Sequence, residues 1–232
     1  GSNNFGDALD DHHSFTGSLS VSASLSVTGS ATVDGTFSAQ GISLSNNDLG
    51  TSNTIFGKSA GDAITSGGNY NVAIGEDAGG ALTTGDTSVA VGFEALLTED
   101  TNSENTAIGY QALKTQNGAD GNTAVGMRAG VDLTTGGANT FVGAETAANV
   151  TTGADNVMMG KAAGVTTLTT SGSVFIGRSA GNAVTTGNQN IGIGKTALGG
   201  AATTGDNNIA IGTNAGDALT SATNDVLIGK SA

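Results

Sequence analysis

Residues 105–113, with the sequence NTAIGYQAL, decide the fold because the same pattern returns along the chain. It starts again at Asn122 as NTAVGMRAG, at Asn139 as NTFVGAETA and at Asn156 as NVMMGKAAG. Eight of the ten intervals between its aligned glycines are 17 residues long, and two are 18. A fixed period of this kind is typical of a solenoid. The eleven aligned glycines are Gly57, Gly75, Gly92, Gly109, Gly126, Gly143, Gly160, Gly177, Gly194, Gly212 and Gly229.

Two columns of the repeat are predicted to hold successive turns together. The turn glycines from Gly75 to Gly212 are expected where φ is positive or where two backbones approach closely. Four positions earlier stands a short side chain that can accept a hydrogen bond, and stacked copies of it would form a ladder of amides. The asparagines of this predicted ladder are Asn71, Asn105, Asn122, Asn139, Asn156, Asn190 and Asn208.

A third column, immediately before the glycine, is apolar in every copy. Three-residue segments such as residues 106–108 are rich in β-branched residues, which favour strands. Their small middle residue alternates with two larger neighbours, as the two faces of a strand require. We expect the larger residue beside the glycine to form the apolar core. This predicted core consists of Ile74, Val91, Ile108, Val125, Val142, Met159, Ile176, Ile193 and Ile211.

The repeat as a whole predicts an all-β fold, a parallel β-roll or β-solenoid. A Thr-Thr-Gly sequence follows the strand segment in many copies and suits a turn that closes each coil. Strands from successive coils would then pair in parallel. Eleven turns at about 4.8 Å each give a rod of about 50 Å.

A thin coil of this kind is expected to need a partner. Each turn encloses few large side chains, and the whole chain has seven Phe and no Trp. Such a coil buries little surface against the conformational entropy lost on folding. We therefore expect an oligomer, and a homotrimer in particular.

The residues before the roll follow a different repeat. Residues 18–41 read SLSVSA, SLSVTG, SATVDG and TFSAQG, a period of six with one apolar face. Three chains wound around a common axis would hide that face. The predicted organisation is an N-terminal leading segment over residues 1–17, an intertwined hexad-repeat β shaft over 18–45 and the 17-residue-repeat β-roll over 46–232.

Composition limits the partners. The formal net charge is −13 and the pI is about 4.1, so nucleic acid and anionic membrane surfaces are poor partners. No apolar run approaches the roughly 18 residues of a membrane span, and membrane insertion is not expected. The chain has no Cys, which excludes disulfides and Cys-based metal sites.

Several motifs carry a resemblance to known fibre proteins. SVAVG at residues 88–92, NVAIG at 71–75 and NIAIG at 208–212 resemble the repeat of trimeric autotransporter adhesin heads, which are left-handed parallel β-rolls. The longer unit with its Thr-Thr-Gly turn is more similar to repeats of bacteriophage tail fibres. HHSFTGSLSVSASLSVTGS at residues 12–30 also resembles the leading segment of phage fibre proteins. The repeat here is longer than the adhesin repeat.

The resemblance implies a structural and adhesive role. The chain would be a segment of a phage tail fibre, extracellular and part of the virion: a stiff trimeric rod that presents a host-receptor-binding tip or contributes to one. Its partners would be further copies of itself, the rest of the fibre, and a glycan or protein of the host cell surface. Neither an anchor barrel nor a chaperone domain is recognisable, so we expect a piece of a longer fibre.

Three alternatives remain open at this point. The chain could be the head of a bacterial trimeric surface adhesin. It could be an ice-binding β-solenoid, since the paired Thr of each turn would stack into a Thr ladder, although adjacent residues point to opposite faces. It could be a polysaccharide-cleaving tailspike with acid pairs such as Glu76 and Asp77 or Glu99 and Asp100. We interpret these acids as solvated loop charges and do not expect an enzyme or a cofactor.

Two further features are weak candidate sites. His12 and His13 follow two aspartates, and three copies around an axis would gather six imidazoles about a metal; a polar segment is the plainer interpretation. Phe93, Tyr110 and Met127 each follow a turn glycine and would form a surface stripe. Exposed aromatic residues suit a glycan or partner surface, whereas an outward edge that tolerates any residue explains them as well.

Overall fold

Eleven three-residue strands follow one another at the repeat spacing in the computed structural model, which describes residues 50–167 and 169–232. Each strand occupies the three positions before a turn glycine. The strands are β1 (Thr54–Phe56), β2 (Val72–Ile74), β3 (Val89–Val91), β4 (Thr106–Ile108), β5 (Thr123–Val125), β6 (Thr140–Val142), β7 (Val157–Met159), β8 (Val174–Ile176), β9 (Ile191–Ile193), β10 (Ile209–Ile211) and β11 (Val226–Ile228).

The strands form one parallel sheet in the order of the sequence, from β1 to β11. The register follows the repeat, so that Ala90 pairs with Ala107 and Ala107 with Ala124. A parallel β-solenoid with turns of about 17 residues is therefore confirmed. Residues 50–167 and 169–232 contain no α-helix, and no helix there could cross a membrane.

The chain divides into two units, Gly1–Ile42 and Ser43–Ala232, and the described residues belong to the second. The predicted segments 1–17 and 18–45 lie outside the described residues. His12 and His13 lie there as well.

Each strand ends at a glycine because no other residue fits. Gly92 has a φ of +135° and Gly109 of +133°, values that L-residues rarely adopt. A Cβ on Gly92 would lie 2.5 Å from the carbonyl oxygen of Gly109 in the next turn. Positive φ and close backbone approach therefore coincide throughout the predicted turn glycines from Gly75 to Gly212.

The interior of the coil is built from the middle residue of each strand, not from the residue beside the glycine. The middle column is buried: Ile55, Ala73, Ala90, Ala107, Ala124, Phe141, Met158, Phe175 and Ala210. Successive strand residues point to opposite faces, so the two flanking residues point outward. The predicted core was therefore wrong: Ile74, Val91, Val125, Val142 and Ile176 are partly exposed, and Ile108, Met159, Ile193 and Ile211 are exposed.

A large residue at one inward position of the coil is matched by a small residue at another, so that the interior is filled. Phe175 fills its own turn, and Gly181, four residues after the turn glycine, leaves room for the ring, which a Cβ there would meet. Ala107 is small, and Leu113 at the equivalent position of that turn is fully buried. Close packing of this kind is the norm in protein interiors, and here it lets the middle residue vary from Gly to Phe.

Candidate functional site

The outward face of the sheet is a continuous, uncharged and mostly apolar surface, which we call the sheet face. It consists of the first and third residues of every strand, all of them Thr, Val, Ile, Phe or Met. With eleven strands about 4.8 Å apart it extends for about 50 Å. Several of its side chains are more than a third exposed: Phe56, Ile108, Met159, Ile193, Ile211, Val226 and Ile228.

This face is chemically unusual for a surface. Its two columns carry no charged residue over eleven turns. The largest apolar patch on a typical soluble monomer is about 300–600 Å². A strip about 50 Å long and about 10 Å wide reaches that upper range, and patches of this size usually mark an interaction site.

The predicted asparagine column lies inside the coil and forms hydrogen bonds that connect each turn to the next. Oδ1 of Asn122 accepts a hydrogen bond from the backbone N–H of Asn139 (3.0 Å), and its Nδ2 donates to the carbonyl of Gly136 (2.9 Å). The same two bonds recur at Asn71, Asn105, Asn139, Asn156, Asn190 and Asn208. In three of these cases the N–H of the next turn belongs to a residue other than Asn: Ser88, Ser173 and Asp225.

The ladder differs in one respect from the stacked amides that the repeat predicts. Side-chain-to-side-chain bonds join Asn139 to Asn122 (3.1 Å) and Asn156 to Asn139 (3.0 Å), whereas most contacts are to the backbone. Where Ser88 and Ser173 replace Asn, the Ser hydroxyl still accepts a hydrogen bond from the backbone N–H of Asn105 or Asn190 in the next turn. Serine has no side-chain amide, so the bond that Asn Nδ2 donates to a backbone carbonyl is missing there. The column therefore serves to satisfy buried backbone groups, which would otherwise cost stability.

A second ladder lies two positions before the asparagines and was not predicted from the sequence. Its side chains accept from the turn before instead of the turn after: Asn69 N–H donates to Oδ1 of Asp86 (2.6 Å) and Ser103 N–H to Oδ1 of Asp120 (2.6 Å). In the sequence this ladder corresponds to a column of Asn, Asp and Ser, which is hard to recognise because Gly137 and Ala154 interrupt it. The two ladders together fix both sides of the corner that precedes each strand.

The predicted stripe of Phe93, Tyr110 and Met127 is exposed, by 37%, 49% and 45%. The rings of Phe93 and Tyr110 stack with centroids 5.5 Å apart and an angle of 12° between their planes. Each ring therefore covers one face of the other. This leaves less open aromatic surface for a sugar than the sequence pattern implied.

Charged side chains lie on the turns rather than on the sheet face. Lys114 and Glu94 form an ion pair of 2.6 Å, and Gln111 donates to the same carboxylate. The hydrogen bonds from Lys114 and Gln111 hold the pKa of Glu94 below its usual value. Lys58 and Glu76 form a second pair of 2.8 Å, and such exposed pairs contribute little.

An open cleft of about 330 Å³ lies on the turns near the middle of the roll. Arg128, Glu145, Asn149 and Asn182 supply its polar groups, and Ala162 is part of its lining. The cleft is therefore lined by charges of both signs and by two amides.

One carboxyl group lies inside the coil, so the interpretation of Glu99 as a solvated loop charge was wrong. Glu99 is fully buried and occupies the column that holds Leu82 and Leu133 in other turns. Its Oε1 accepts from the Asn102 backbone N–H (3.0 Å) and Nδ2 (2.7 Å). Burial raises the pKa of Glu99 above its ordinary value. Gln116, also fully buried, occupies the same column one turn later.

The hydroxyl of the first Thr in several closing turns forms a hydrogen bond within the coil. Oγ1 of Thr65 donates to the carbonyl of Thr83 (3.0 Å), and Oγ1 of Thr134 donates to the carbonyl of Thr151 (2.9 Å). The hydroxyl proton of the first Thr in these turns thus contributes to contacts between turns.

Within the ranges 50–167 and 169–232, no group of three or more His, Cys, Asp or Glu side chains is arranged to hold a metal ion. The fold and the sheet face define the class of the protein: a parallel β-solenoid with an apolar sheet face. Comparison with protein-family models, with curated proteins and with solved structures found no match.

Proposed function

We propose that residues 50–232 form a stiff segment of a homotrimeric fibre, in which copies of the chain cover one another's sheet faces. The observation that carries the proposal is the continuous apolar sheet face. Parallel copies, side by side, would remove Ile108, Met159 and Ile193 from water at the same levels of the rod. The biological setting proposed is a phage tail fibre that carries, or contributes to, a host-receptor-binding tip, and it rests on the resemblance of the repeats.

The energetics favour a second copy over solvent. Burial of apolar surface stabilises by about 25 cal/mol per Å², and a face of about 500 Å² is the apolar centre of an interface of standard size. Charged residues such as Lys161 and Arg178 lie one column beyond the face, where they suit the polar rim of an interface.

Rigidity fits the mechanical role. Hydrogen bonds of the two ladders link most turns to the next. Backbone hydrogen bonds between turns continue around the coil, as in the bond from Leu113 N–H to the Ala129 carbonyl (3.0 Å). A coil that is bonded at its corners and along its sheet resists bending. The head of a bacterial trimeric adhesin would have the same architecture and remains the second candidate.

The proposal is tested by placing a charge on the sheet face. Ile108→Lys and Ile193→Lys are each expected to lower the average mass in sedimentation equilibrium, because association would bury an unpaired lysine. Asp132→Lys is the control, since Asp132 is exposed and lies on a turn outside the sheet face. If the two Ile variants and the control keep the same mass, the sheet face is not the interface.

A further inference from the structure

Two buried oxygens identify a feature of the interior that the fibre role does not explain. Among the described residues, the fully buried side-chain oxygen and nitrogen atoms without a hydrogen-bond partner are Oε2 of Glu99 and Oε1 of Gln116. A buried polar group without a partner costs about 1–3 kcal/mol, and a charged one costs more. Two such atoms would therefore destabilise the fold unless each has a partner.

The two residues are stacked. Both are the seventh residue after a turn glycine, in consecutive turns that follow Gly92 and Gly109. Consecutive turns are about 4.8 Å apart, so the two side chains lie one above the other. Each also bonds to the backbone three residues ahead: Glu99 Oε1 accepts from Asn102 N–H, and Gln116 Nε2 donates to the Ala119 carbonyl.

A proton would satisfy both oxygens at once. Two oxygens that can only accept cannot bond to each other, whereas a protonated carboxyl is a donor. We propose that Glu99 is a carboxylic acid in the folded protein and that its Oε2–H donates a hydrogen bond to Oε1 of Gln116.

The surroundings favour the uncharged form. The titratable side chains on the corners of the three turns are Asp86 on the turn before, Asp100 and Glu104 on the same turn, and Asp120 on the turn after. All are acids, and the negative charge of Asp120 adds to the effect of burial on Glu99. Lys114, the nearest cation along the chain, is paired with Glu94.

The sign of the pH dependence follows. Burial raises the pKa of Glu99 in the folded state above its ordinary value of 4.5, so the folded state binds more protons than the unfolded chain. The contribution of this proton is fully present below pH 4.5 and is lost as the pH rises through the folded-state pKa. Glu99 thus makes the middle of the roll sensitive to pH.

Glu99→Gln is the direct test because it copies the protonated acid. The new amide keeps the oxygen that accepts from Asn102 and always offers an N–H to Gln116. As the pH rises from about 5 to about 8, the urea midpoint of the wild type is expected to decrease relative to that of Glu99→Gln. Glu104→Gln is the matched control, since Glu104 is exposed and Gln189 occupies the same column elsewhere; it should follow the wild type.

Two further results complete the test. At neutral pH the infrared carbonyl band of a carboxylic acid should be present in the wild type and in Glu104→Gln, and absent in Glu99→Gln. In a Gln116→Leu background, the advantage of Glu99→Gln should become smaller, because its N–H no longer has an acceptor. The proposal is overturned if the wild type lacks the acid band. It is equally overturned if Glu99→Gln only lowers stability and keeps the wild-type pH dependence.

Discussion

At the residue scale, the repeat works because a few side chains satisfy buried backbone groups at fixed positions. Asn122 illustrates this, since it serves the N–H of Asn139 and the carbonyl of Gly136 in the next turn. Hydrogen-bonding residues at fixed spacing were readable from the sequence. Their targets were not, because a spacing shows which residues stack and not whether they bond to side chains or to the backbone.

Asn122→Ala is expected to lower the free energy of unfolding by about 2–5 kcal/mol, since it leaves two buried backbone groups unpaired. Asn122→Ser should lose about half as much, because a hydroxyl at this column still accepts the next N–H, as Ser173 does for Asn190 (3.0 Å). Urea unfolding measures both. Equal losses for Ala and Ser would show that the backbone N–H does not depend on this acceptor.

The residues that sequence reasoning misplaced share one physical cause. A three-residue strand has one inward and two outward positions, and the sequence shows apolar residues at all three. Size suggested that Ile108 faces inward, but the narrow coil accommodates Ala107 there. Glu99 was missed because a single carboxylate in a turn has no periodic signal that reveals burial.

At the scale of the element, adjacent turns share one interior and fill it jointly. A Cβ on Gly130 would lie 2.8 Å from Cδ2 of Phe141 and 3.0 Å from Cδ2 of Leu113. The left-handed backbone at this column strains a side chain but does not exclude one, because Leu113 and Ala147 occupy the same column with φ of 48° and 52°. The glycine at this position therefore follows from packing as well as from φ.

A double-mutant cycle tests this packing. Gly130→Ala should cost about 1–3 kcal/mol by crowding, and Phe141→Ala about 3–5 kcal/mol by leaving a cavity. The double variant should cost less than the sum, since the new methyl group enters the space that the ring vacates. Gly130→Ala combined with Phe175→Ala is the control, and distant sites of this kind should add. Additive losses in the first pair would contradict shared packing.

At the scale of the whole molecule, the period of the sequence was sufficient to predict a parallel solenoid, its turn length and its strand positions. The repeat encodes contacts between neighbours in the chain, and those contacts build the roll. Whatever covers the sheet face is not encoded by the period. The resemblance to trimeric fibres is the reason for expecting three copies. The apolar sheet face is the reason for expecting that copies associate at all.

The most direct measurement is the absolute mass of the unmodified chain in solution, by light scattering after size exclusion. The account predicts three times the chain mass of 22.3 kDa in an elongated particle. A mass of one chain would mean that the sheet face stays in water and that the solenoid is self-sufficient. A mass of two chains would retain the interface but contradict the trimeric fibre.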